Sequence, residues 1–100
     1  MFLNGKLLIN LIFGIYLIFS SSSFASTVNW RMQSTWGSQV AINGEAAVYF
    51  SNKVREISNG NVQLRFHEPN ALVPSLQVWD AVKNSKVDAG FTTPGYHAGK

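Results

Sequence analysis

Between Val28 and Thr93 the apolar residues recur at a spacing of two, then of three and four, then two, then three and four again, and close on a short apolar run. A spacing of two is a strand with one buried face, and mixed spacings of three and four are one side of a helix. "TVNWRMQSTWG" puts Val28, Trp30 and Met32 on one face and Asn29, Arg31 and Gln33 on the other, a strand that stops near Ser34 at turn residues. "NGEAAVYFSNKVREISNG" places Ala47, Phe50, Val54 and Ile57 in a helical stripe. Asn43 reads as its N-cap, Glu45 as a first-turn acid favoured by the helix dipole, and Asn59-Gly60 as its stop. "NVQLRFHE" alternates again, with Val62, Leu64 and Phe66 inward. After Pro69-Asn70, a second helix opening at Pro74 or Ser75 carries Leu76, Trp79 and Val82 on one face, with Val78 alongside. "KVDAGFTT" is a third strand and "PGYHAGK" a loop.

Strand, helix, strand, helix, strand with crossovers of about 20 to 25 residues is the arithmetic of parallel βαβ units. The fold class expected is therefore α/β, an open sheet with a parallel βαβαβ start. Ligands of such sheets sit outside the carboxyl ends of the strands. Two loops fall there, "STWGSQ" and "TTPGYH". Ser34, Thr35, Thr92 and Thr93 offer hydroxyls at that edge, suited to a carboxylate or a polyol, or simply to ordinary turn chemistry. Trp36 either walls a small-molecule pocket or tucks against its own turn. Tyr96 adds a ring and a phenol, and His97 an imidazole. Trp30 and Trp79, by contrast, sit on the apolar faces of their elements and read as core.

The first quarter of the chain does not share this pattern. "MFLNGKLLINLIFGIYLIFSSSSFA" has a basic residue, Lys6, an apolar run over 7–19, and small residues Ser23 and Ala25 before a cut. That is the plan of a cleavable signal peptide over 1–25, leaving 26–100 as the first part of an α/β lobe. The alternative is an uncleaved anchor, although the run is shorter than the ~20 residues a bilayer asks for.

Composition removes several functions. The eight basic residues exceed the five acids by only three across the whole chain, and they are scattered, so no basic stripe for nucleic acid exists. There is no cysteine, hence no disulfide, no thiolate metal site and no lipid-modified cysteine at the cut. Gly37 and Gly44 are isolated, without a phosphate-cradling motif. His67 and Glu68 are neighbours on a strand and so face opposite ways, which is poor for a shared metal; His67 reads as a solvated edge residue. No cofactor and no metal site are expected.

From Val28 onward the chain resembles the solute-binding subunit of the tripartite ATP-independent periplasmic (TRAP) transporters, in the branch that takes 2-oxoacids and related carboxylates. The resemblance rests on "WRMQSTWG" and on the run from Phe50 to Lys100, above all "ALVPSLQVWDAV" followed by "VDAG". It implies two lobes of the periplasmic-binding-protein type (type II) around a cleft, of which this chain supplies an incomplete first lobe. It further implies a periplasmic receptor, not an enzyme, that hands a small organic acid to membrane permease subunits for ion-gradient-driven uptake. Contact with the membrane would run only through the permease. The ligand-side residues expected are Ser34, Thr35, Trp36, Thr93, Tyr96 and His97. The carboxylate-clamping arginine of the family belongs to later sequence, so Arg31, Arg55 and Arg65 are not assigned to it. One departure is Gly95-Tyr96-His97-Ala98, where this branch more often carries paired aromatics. Two other readings are a small secreted α/β enzyme using Ser34 or His97, and a receptor for an ATP-driven importer.

Overall fold

β1 (Val28–Ser34) is the middle strand of a three-stranded parallel sheet, flanked by β2 (Val62–His67) and β3 (Ala89–Phe91) in the computed structural model, which describes residues 26–100. The signal peptide expected over 1–25 lies outside the described residues. β1 pairs with β2 along nearly its whole length, from Val28 opposite Val62 to Gln33 opposite His67. It pairs with β3 only over its last three residues, Met32 to Ser34 opposite Ala89 to Phe91. The parallel βαβαβ order read from the periodicity is the order observed.

That uneven pairing decides what is buried. Met32, Gln33 and Ser34 are flanked on both sides and lie fully inside, whereas Trp30, one turn of the pleat earlier, is 50% exposed. Trp30 is thus not core, contrary to the alternation. Gln33, expected on the wet face, is buried because loop 70–74 folds over it. Its amide nitrogen donates to the Val73 carbonyl at 2.8 Å, and its oxygen accepts from the amides of Leu72 (2.8 Å) and Val73 (3.0 Å). A buried amide with all these bonds made costs little. His67 also departs from expectation: it is half-buried, and its Nε2 is buried without a partner.

α1 (Asn43–Ile57) packs on β1 and β2 through Gly44, Ala47 and Ser51. Of the expected stripe only Ala47 is fully buried; Phe50 and Ile57 stay exposed, because the small residues let the helix backbone approach the sheet closely. A β-carbon on Gly44 would lie 1.9 Å from the Gly37 carbonyl oxygen, so only glycine fits there. The helix begins one residue earlier than the sequence signal. Ile42, not Asn43, is the cap, and the Val40 carbonyl accepts from the amides of Gly44 (2.9 Å) and Glu45 (3.3 Å) where a side-chain cap would have served. Asn59 and Gly60 do end it, both at positive φ, with the Gly60 amide returning to the Arg55 carbonyl at 2.9 Å.

The second helical segment is a 3₁₀ turn, Ser75–Gln77, running into a short α2 (Val78–Lys83). Its buried residues are Val78 and Ala81 rather than Leu76, Trp79 and Val82. The reason is Gly90 on β3: the strand has no side chain there, and Val78 fills the space, with its Cγ1 only 2.4 Å from where a β-carbon would stand. Trp79 is rotated off the sheet and is 48% exposed. Arg31 and Asp88 fasten β1 to the start of β3, with the Arg31 amide donating to the Asp88 carboxylate at 2.8 Å and its Nε at 3.2 Å. These two bonds hold the Asp88 carboxyl below its ordinary value of 3.8. Among the described residues no helix is long and apolar enough to cross a membrane.

Candidate functional site

The carboxyl ends of β1 and β3 open into the two loops that the sequence singled out, and a cleft of about 630 Å³ lies between them. Trp36, Asn43, Phe91, Thr92, Thr93, Gly95 and Tyr96 line it. The parallel register explains the meeting. Because Ser34 stands opposite Phe91, the first residue after each strand is at the same height, and the loops leave the sheet side by side. The Thr35 hydroxyl donates to the Thr92 hydroxyl at 2.7 Å, and the Thr35 amide donates to the Phe91 carbonyl at 3.0 Å. The Ser75 hydroxyl bonds the Thr35 carbonyl from the other side at 3.1 Å.

Aromatic rings make one wall. Trp36 meets Tyr96 at a centroid distance of 5.9 Å and Phe91 edge-on at 6.2 Å, and Phe91 in turn meets Phe50 of α1 at 6.2 Å. Such tilted pairs hold rings in place beyond simple area burial. The loop carrying Trp36 is itself tied down. Glu68, just past β2, accepts from the Ser38 amide at 3.0 Å and from the Ser38 hydroxyl, and these bonds hold its carboxyl below the ordinary 4.5.

Each residue expected at the ligand side has a definite place. Trp36, Thr93 and Tyr96 line the cleft. Thr35 stands beside it, joined to Thr92. Ser34 is fully buried beneath, and its hydroxyl accepts from the Trp36 amide at 3.0 Å, which sets the turn that swings the indole outward. His97 is no loop-surface residue: it is only 6% exposed, within a 3₁₀ turn over Pro94–His97. Its ring stacks on Trp79 at 5.5 Å and 30°, and its Nε2 lies 3.1 Å from the Thr92 hydroxyl. Asn43, Phe91 and Gly95 were not singled out as site residues by sequence. Asn43 reads locally as a cap and Phe91 as strand; only the packing of α1 over the sheet edge brings them to the cleft.

Thr92 and His97 stand at nucleophile–base distance, but among the described residues the buried Nδ1 of His97 has no partner, so none of their carboxylates orients the ring as a catalytic triad requires. Among the described residues no group of three or more His, Asp or Glu could hold a metal ion. Among the described residues the side-chain oxygens lining the cleft are hydroxyls and the Asn43 amide, with no carboxylate.

Residues 32–100 match the family described as bacterial extracellular solute-binding protein, family 7. A monocarboxylate 2-oxoacid-binding periplasmic protein of Nostoc sp. is 35% identical over 75 residues, covering 73% of this chain and 20% of its own length. A TRAP transporter solute-binding protein from Bordetella bronchiseptica, with copurified calcium and picolinate bound, superposes with a TM-score of 0.69 at 28% identity, over 74% of this chain and 22% of that one. A TRAP periplasmic solute-binding protein from Pseudoalteromonas atlantica with bound sodium and pyruvate gives 0.60 at 29% identity, over 65% and 20%. The chain thus spans about a fifth of the length of these relatives. The match to the family model takes in both cleft loops, and the parallel sheet that carries them is shared with the TRAP receptors. The chain belongs to the bacterial extracellular solute-binding proteins of family 7.

Proposed function

We propose that the protein containing this chain is the periplasmic receptor of a TRAP transporter and captures a small monocarboxylate of the 2-oxoacid class, with pyruvate as the type ligand. The observation that carries this reading is the cleft itself. It sits at the carboxyl edge of a parallel sheet and is lined by Trp36 and Tyr96 together with Thr92 and Thr93, residue types suited to a flat molecule with oxygen acceptors at one end. The Nostoc relative binds monocarboxylate 2-oxoacids and the Pseudoalteromonas relative holds pyruvate, which supports the same chemistry here. Trp36, Thr93 and Tyr96 then contact the solute, with Thr35 acting through Thr92. Ser34 shapes the Trp36 turn, and His97 lies behind Thr92.

Export follows from the leader: cleavage after Ala25 releases a mature chain beginning at Ser26. Delivery is to membrane permease subunits, with uptake driven by an ion gradient and closure of a second lobe over the cleft as the signal. Calorimetric titration of the protein with pyruvate tests the solute class. Saturable heat with pyruvate, weakened by Trp36→Ala, is expected. Binding of sugars or amino acids in place of any 2-oxoacid would overturn it. Amino-terminal sequencing of the exported protein tests the leader, with Ser26 expected first and Met1 the contrary result.

A further inference from the structure

We propose that His97 is a positioning residue that makes Thr92 a dedicated hydrogen-bond donor to the solute. The inference rests on the carboxylate-binding reading above and adds to it which atom of the first lobe meets the anion and what aims it.

A hydroxyl has one proton to give and two lone pairs to receive with. Thr92 already receives the Thr35 proton at 2.7 Å. Its second neighbour is Nε2 of His97 at 3.1 Å, and the direction of that bond depends on where the imidazole carries its hydrogen. Nδ1 is buried and has no partner among the described residues. A buried N–H without an acceptor is among the rarest defects in folded proteins, whereas an acceptor lacking a donor is tolerated more often. The hydrogen therefore resides on Nε2, and His97 donates to Thr92. With Thr35 and His97 both donating, both lone pairs of Thr92 are filled, and among the described residues its own proton has no acceptor left. Thr92 lines the cleft, so that proton is directed to the solute.

The ring is built to stay in this state. Trp79 stacks on it at 5.5 Å, and it is only 6% exposed, so solvent does not reach it to reverse the bond. A donor with both lone pairs occupied favours an anion or a keto oxygen and rejects ligand groups that themselves donate. This gives the first lobe a preference for acceptor-rich 2-oxoacids over 2-hydroxyacids of the same shape.

The test is direct observation of the tautomer by long-range proton–nitrogen NMR on nitrogen-15-labelled protein, with His97→Gln identifying the His97 signals against those of His67. Hydrogen on Nε2 is expected; hydrogen on Nδ1 overturns the proposal whatever the solute turns out to be. Pyruvate affinity provides the second arm. His97→Phe, which cannot donate, is expected to weaken binding about tenfold, the size of one bond to a charged acceptor. His97→Gln retains an N–H at the Nε2 position and should keep most of the affinity. Equal losses in both variants overturn the proposal. If His97→Phe does not fold, Thr92→Ser against Thr92→Val makes the same comparison, with the serine variant binding and the valine variant not. Wild-type protein with the Nε2 tautomer but no affinity for pyruvate would sink the solute reading while leaving the hydroxyl assignment standing.

Discussion

The hydroxyl of Thr35 donates to the hydroxyl of Thr92 across 2.7 Å, joining two loops that are 57 residues apart in the chain. The bond exists because β1 and β3 are parallel neighbours whose ends stand level at Ser34 and Phe91. It makes one surface out of two separate loops, and the solute site depends on that surface.

Replacing the indole at the cleft wall should affect binding far more than folding. Trp36 is half-buried, and its ring meets those of Tyr96 and Phe91. Trp36→Ala is expected to lower pyruvate affinity about tenfold, the upper end of the ~0.5–1.5 kcal/mol that an aromatic contact contributes. Trp36→Phe should lose less. Calorimetry on the two variants, alongside their melting curves, separates binding from stability.

The buried amide of Gln33 predicts a large folding cost. In Gln33→Leu the amides of Leu72 and Val73 and the Val73 carbonyl all lose their partner in a part-buried setting. At ~1–3 kcal/mol for each orphaned group, a loss of at least 3 kcal/mol is expected from urea unfolding. Faster hydrogen exchange at Leu72 and Val73 would accompany it. Unchanged exchange there would show that Gln33 does not hold the loop.

Gly44→Ala should be nearly as damaging, for a steric reason. The new methyl would meet the Gly37 carbonyl oxygen at 1.9 Å, against backbone that cannot swing aside like a side chain. Overpacking of this kind costs about 1–3 kcal/mol. It would also shift the loop that carries Trp36, so both the unfolding midpoint and the pyruvate affinity should fall together.

Acid should loosen the sheet edge. Asp88 is held below its ordinary 3.8, first by the Arg31 amide and then by the Arg31 side chain. Glu68 is held below 4.5 by the Ser38 hydroxyl and amide. A carboxyl with a depressed folded-state value stabilises the fold above its ordinary value, and that contribution disappears as pH falls through the folded one. The contribution of these two carboxyls should therefore be level through neutral pH and decline below about pH 4. Asp88→Asn should flatten part of that decline in pH-dependent urea titrations; an unaltered slope would remove Asp88 from the account.

Segment 26–100 taken alone should melt broadly rather than in one sharp transition. Trp30, Tyr49, Phe50 and Ile57 expose large apolar surfaces, and so small a sheet has little core to offset them. Differential scanning calorimetry of the segment checks this, and a sharp two-state peak would count against it.

The order of elements was legible in the sequence because backbone periodicity is local. Alternation at Val62, Leu64 and Phe66 and the stop at Asn59-Gly60 each express a rule that needs no distant partner. The crossover lengths then required parallel pairing, and the carboxyl edge of the sheet followed, with Trp36, Thr93 and Tyr96 on it. Burial was not legible in the same way. Trp30 and Gln33 lie on one strand with the roles opposite to their polarity, because β3 flanks only the last three residues of β1 and loop 70–74 covers Gln33. Trp79 leaves the core because Gly90 makes room for Val78 instead, a fit between a strand and a helix that neither element reveals by itself. His97, which as sequence is one polar residue in a Gly-rich loop, becomes a buried ring between Trp79 and Thr92 only when α2 and the loop after β3 close on each other. Period and turn chemistry are properties of neighbouring residues, whereas burial and hydrogen-bond direction belong to contacts that form only once the sheet has brought distant residues together.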